Sequence, residues 1–216
     1  MDKDELSPDD VLGLWFPDTG HWNDPQSHAA FFTERMQGGM DATISDRFAA
    51  LTLAGATGRL DHWAGTARGR LALLIVLDQF PRSLWRDTPA AYAQDIKATR
   101  LALEGIANGH FDGLEVWEQT FYVIAIQHCE GPDHLERLNG LDDVLDGIVG
   151  RIPGHMSQMG DFLQAQHVRV KSVIARFGRH AHRNEILGRA STPDEAAYIA
   201  RGDFPHNSPG EPESKA

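Results

Sequence analysis

The chain has 216 residues, 41% of them apolar and 24% charged, the make-up of a soluble globular protein with enough length to bury a core in one domain. A formal net charge of -11 argues against general nucleic-acid binding, which needs a broad basic surface. One cysteine, Cys129, excludes an internal disulfide; the longest apolar run, Leu71 to Leu77, is too short to span a bilayer; and no apolar core of a signal peptide follows the acidic Met1 to Glu5, so a cytoplasmic protein without a membrane partner is expected.

Ser7-Pro8-Asp9-Asp10 predicts a helix start, with Ser as N-cap, Pro at the first helical position and acids in the first turn. That helix should reach about Phe16, with Val11, Leu14 and Trp15 at helical spacing ahead of Pro17. A polar loop over 18–28 and a short helix from Phe31 to Met36 follow. A helix from Asp41 to Ala54 turns Ile44, Phe48 and Leu51 inward, with Leu53 a further candidate. Gly55, Gly58 and Gly65 mark a loop with an exposed Asp61-His62-Trp63, where Trp22 and Trp63 are read as local packing beside His21 and His62. Residues 66–79 are apolar nearly all round, which places that helix at the centre, and Pro81 is expected to close it. Thr88-Pro89 opens a helix to about Ala107, with Gly109 placed to end it. Helix 114–128 holds Trp117, Phe121, Tyr122, Val123, Ile124 and Ile126, and a weaker amphipathic helix spans 133–149. A loop over 150–160 leads to a helix at 161–177 that ends at Gly178, and Thr192-Pro193-Asp194-Glu195 has the capping-box form that begins a last helix. No segment alternates apolar and polar residues long enough to read as a strand. The expected fold is all-α, a multi-helix array of antiparallel helix pairs in a single domain over 1–206, with a disordered polar tail at 207–216.

Three polar side chains interrupt apolar helix faces. Leu71 and Leu74 lead by helical steps to Asp78; Trp117, Phe121 and Ile124 lead to His128; His167 lies between Leu163 and Val170. Gln79 and Arg82 follow Asp78, and Glu130 follows His128. A buried carboxylate without a partner costs several kcal/mol or takes up a proton. The concentrated supply of positive charge is residues 166–189, where six cationic side chains face Glu185 alone, for +5, so the rest of a chain at -11 sums to -16. Arg176, Arg179, Arg183 and Arg189, with Asn184, are therefore expected to meet Asp78, His128, Glu130 and His167 in one polar pocket at the ends of apolar helices. The partners of these arginines are either the chain's own acids or an anionic ligand. His128 or His182 could serve as acid–base with Asp78 or Glu130 orienting it, and His182 is favoured over His180. Cys129 reads as a buried inert thiol. Phosphate-binding glycine loops, a dinucleotide fingerprint, a serine-hydrolase elbow and paired metal-ligand motifs are missing, so no cofactor and no metal are expected.

Leu77-Asp78-Gln79-Phe80-Pro81-Arg82, His128-Cys129-Glu130, Phe177-Gly178-Arg179 with His182-Arg183-Asn184, Leu187-Gly188-Arg189 and Ser191-Thr192-Pro193-Asp194-Glu195 resemble the bacterial family called domain of unknown function 924, from about Val11 to Arg201. The resemblance implies a tetratricopeptide-like all-helical fold and no established activity. The family usually has Ser at the position of Cys129 and Phe-Pro at that of His180-Ala181. Three functional readings stay open. One is an enzyme or binder for a small anionic carboxylate or phosphate compound, with Arg82, Arg179, Arg183 and Arg189 as the clamp. The second is an interaction module whose arginine-lined groove takes an acidic peptide or protein partner. In the third, the arginines and acids only satisfy one another.

Overall fold

The structure, a computed structural model, describes residues 6–202 together with Phe204 and Pro205. The tail expected over 207–216 lies outside the described residues. Ten α-helices run through them: α1 (Pro8–Trp15), α2 (Pro25–Met36), α3 (Asp41–Ala56), α4 (Ala67–Leu84), α5 (Asp95–Ala107), α6 (Val116–His128), α7 (His134–Gly140), α8 (Asp142–Val149), α9 (Ser157–Phe177) and α10 (Pro193–Arg201). Short 3-10 turns link several of them, and there is no strand among the described residues. The fold is all-α.

Local chemistry accounts for several helix ends. The side chain of Ser7 accepts from the Asp10 amide, and Thr192 and Glu195 form the reciprocal capping box that opens α10. Gly178 adopts φ 71° directly after α9, a left-handed stop that a side chain would strain.

Helix α4 is the hub. Gly69 to Pro81 are all buried, and α1, α3, α5 and α6 each pack on this helix. Its apolar circumference leaves no face for water, so neighbours surround it. Trp15 and Phe48 pack on Phe80, with ring centroids 5.9 Å and 5.3 Å away, and Phe121 packs on Trp15 at 5.7 Å. Gly105 lets α5 approach closely: a Cβ there would lie 2.7 Å from Arg70 Cδ and 2.7 Å from Tyr122 Cε1.

Several expectations are corrected. Helix α4 does not close at Pro81; it runs through to Leu84. Proline removes one backbone donor, yet the following turn is held by the Trp85 amide on the Pro81 carbonyl at 2.9 Å and by Arg82 Nη1 on the Asp78 carbonyl at 2.6 Å. Helix α2 begins six residues before Phe31, because Asp24 caps it by accepting from the Ser27 amide at 2.7 Å and Pro25 takes the first position. The helix expected from Thr88 is a 3-10 turn, Pro89–Tyr92, followed by α5, and the helix expected over 133–149 is two helices that meet at Leu141. Helix α9 starts at Ser157, inside the expected loop. Leu53 is 51% exposed, while Trp63 is buried against the core.

Candidate functional site

The site forms where α4 and α6 end. Because α4 continues past Pro81, Arg82 stands one turn after Asp78 on the same face, and the two pair at 3.2 Å. Asp78 is 1% exposed. One of its oxygens accepts from the Gln79 side-chain amide, and the carboxylate accepts from His128 Nδ1 at 2.9 and 3.1 Å. Burial alone would raise the Asp78 carboxyl, but the charge of Arg82 and the facing imidazole overcome it and hold the group at about 2. Asp78 is therefore ionised and accepts only, which fixes the imidazole proton of His128 on Nδ1. His128 is a quarter exposed at its side chain; its Nε2 makes no hydrogen bond with any described residue and is not enclosed. Burial, helped by Arg82, lowers the His128 pKa against the opposing pull of Asp78. At neutral pH, Nε2 is thus an unprotonated basic atom facing solvent.

The cationic loop is drawn here by the carbonyls that the end of α6 leaves without a helical partner. The last four carbonyls of a helix have no partner within it and carry its negative end. Each of the four in α6 is met by a side chain from elsewhere: Ala125 by Thr99 Oγ1 at 2.8 Å, Ile126 by Arg137 at 3.2 Å, Gln127 by His134 and His180, and His128 by Arg183 Nη1 at 2.8 Å. The two from charged donors, Arg137 and Arg183, stabilise by roughly 1.5–3 kcal/mol each. A side chain without a ring N–H at position 180 could not donate to the Gln127 carbonyl as His180 does at 3.0 Å. Residues Ala181–Arg183 form a 3-10 turn without a proline.

Sequence reasoning missed Asp95 and Tyr92. Asp95, 5% exposed, accepts Arg82 Nη2 on both oxygens at 2.9 and 3.0 Å and Arg183 Nη1 at 3.3 Å. Burial raises its pKa, with Asp78 adding to the rise and the two arginines opposing it. The ring of Tyr92 lies 4.5 Å below the Arg183 guanidinium and 5.6 Å from that of Arg82. The signal for Asp95 was its position on the stripe that continues through Ala98 and Ala102, the same pattern that revealed Asp78.

The structure brings Asp78, Gln79, Arg82, His128 and Arg183 together, with Glu130 and Arg189 beside them. Glu130 binds Arg189 through both oxygens and accepts from the His180 amide at 2.8 Å. Burial pushes the Glu130 carboxyl up, but the bond from Arg189 and the charge of Arg183 bring it below its usual range. Arg176 and Arg179 do not join this group. Arg176 pairs with Asp194 at the surface, and Arg179 holds Glu195 on α10. Asn184 is buried and donates to Ser191 Oγ at 3.0 Å, tying the loop to itself. His167 sits elsewhere, with both ring nitrogens engaged, Nδ1 by Gln127 at 3.0 Å and Nε2 by Asp142 at 2.9 Å. His182 lines a shallow cleft of about 490 Å³ with Glu185, Arg189 and Ser191. Cys129 is buried, and burial raises its thiol pKa. Among the described residues no three His, Cys, Asp or Glu side chains are grouped to hold a metal ion, and no helix is long and apolar enough to cross a membrane.

The sequence matches the family described as "Bacterial protein of unknown function (DUF924)" over residues 11–203. The chain belongs to this family. The site segments, from Asp78 to Arg189, all fall within the matched span. A solved structure similar to the family member described here is that of a protein of unknown function from Agrobacterium tumefaciens, 30% identical, with a TM-score of 0.66 over 90% of this chain and 97% of that one. Among curated proteins, none matches the chain.

Proposed function

We propose that the chain is an enzyme or binding protein for a small anionic molecule, with His128 as its proton-transferring group. The observation that carries this reading is the division of labour on one imidazole: Nδ1 is tied to an ionised, buried Asp78 while Nε2 faces solvent without a partner among the described residues. A carboxylate behind a histidine holds the ring and its tautomer and stabilises the imidazolium once Nε2 takes a proton. His167 offers a contrast, since neither of its nitrogens is left for a substrate.

The helix pairs α3–α4 and α5–α6 would stack in the tetratricopeptide-like manner. The second reading, a groove for an acidic peptide, draws less support. Arg176, Arg179 and Arg189 are already matched by Asp194, Glu195 and Glu130, so a peptide would have to displace the chain's own acids. The test is a library of small anions screened by NMR on the His128 ring, with turnover followed in wild type and His128→Gln. Ligands that shift the His128 signal, and any turnover that disappears in the folded variant, support the reading. A library in which no anion moves that signal refutes it.

A further inference from the structure

The donors of Arg183 are divided in a way that points to a ligand. This side chain is 4% exposed. Its Nη1 is consumed by Asp95 and by the His128 carbonyl. Its Nε is buried without a partner, and its Nη2 bonds to none of the described residues. The Nε–Nη2 edge is the fork that elsewhere in this chain holds a carboxylate with two parallel bonds: Arg86 on Asp41 at 2.9 and 2.8 Å, Arg176 on Asp194 at 3.0 and 2.5 Å, and Arg179 on Glu195 at 2.6 and 2.9 Å. A buried guanidinium donor left unmatched is destabilising, so the same edge on Arg183 calls for an acceptor.

We propose that the molecule acted on at His128 is a small monocarboxylate whose carboxylate docks side-on against Nε and Nη2 of Arg183; this rests on the acid–base reading above. The two bonds made by Nη1 and the Tyr92 ring beneath the guanidinium fix the fork before a ligand arrives. Because Nη1 holds the His128 carbonyl, the guanidinium sits beside the helix turn that carries the imidazole. Glu130 interacts with Arg183 through its charge, but its oxygens are held by Arg189 and the His180 amide. Charge favours a monoanion over a dianion. Arg82, Arg183 and Arg189 are already balanced by Asp78, Asp95 and Glu130, so each added ligand charge increases the repulsion from those acids and a second one doubles it. A proton given to Nε2 would come from a C–H or O–H bond of the substrate, whose electron pair stays on the substrate.

The probes are sodium acetate and inorganic phosphate at fixed ionic strength, followed by NMR on protein labelled in the arginine Nε–H groups. Acetate is expected to shift the Arg183 Nε–H signal saturably, with little movement at Arg86 or Arg176. Arg183→Lys keeps the charge and loses the fork, so it should weaken acetate by about tenfold or more, while Arg86→Lys should stay within about twofold of wild type. The absence of a saturable shift at Arg183 overturns the proposal, as does phosphate binding more tightly than acetate. The wild-type signal decides even where Arg183→Lys does not fold. The acid–base reading fails on a different readout, the position of the His128 ring proton, so the two failures are told apart.

Discussion

Acidification between pH 7 and 5 should destabilise this protein through histidines that the fold keeps neutral. His134 and His21 are each 1% exposed, and burial brings each from 6.5 to about 4. Nearby cations reinforce the shift, Arg137 for His134 and Arg35 for His21. The folded pKa is the lower one, so between about 4 and 6.5 the unfolded chain binds more protons. Stability is full above the unfolded value and is lost as pH falls toward the folded value. From pH 7 to pH 5 this amounts to about 2 kcal/mol per histidine and about 4 kcal/mol for the pair. His28, His128 and His180 shift in the same direction and add to the loss, while Asp95, raised by burial, opposes it. Asp78 and Glu195, both near 2, keep their charge throughout this window. Urea unfolding followed by circular dichroism at pH 7, 6 and 5 measures the effect. His134→Gln should reduce the pH 7 to 5 loss by about 2 kcal/mol, because its share no longer titrates. A loss below about 1 kcal/mol in wild type, or an unchanged loss in the variant, would refute the reasoning.

Three further outcomes are expected. Asp95→Ala leaves Arg82 and Arg183 without their shared carboxylate and should cost about 3–5 kcal/mol in chemical denaturation. Gly105→Ala forces both Arg70 and Tyr122 to move and should cost about 1–3 kcal/mol, read as a lower Tm. Cys129, buried with a raised pKa, should react with a thiol reagent at pH 7 at least about 100-fold more slowly in the native protein than in urea.

The all-helical class and the central position of α4 were legible because period 3.6 and an unbroken apolar circumference are local properties of the sequence. The convergence of Asp78 and His128 was legible for the same reason, since each interrupts an apolar face in the C-terminal part of its helix. Arg183 was visible as charge excess. Its assignment to the α6 terminus, with Arg176 and Arg179 sent to α10, depends on which acids lie near in space, and spacing carries no such information. Pro81 misled because the rule that proline closes a helix holds only where nothing else secures the next turn; here Arg82 and the Trp85 amide do so. Asp95 escaped notice because it opens α5, where an acid is the ordinary choice for the helix dipole.

The position of the ring proton on His128 tests the central claim most directly. Long-range proton–nitrogen NMR of the histidine side chains at pH 7 should show His128 protonated at Nδ1 and bare at Nε2 in wild type, with that preference lost in Asp78→Asn. A His128 ring that carries its proton on Nε2 in wild type would contradict the account.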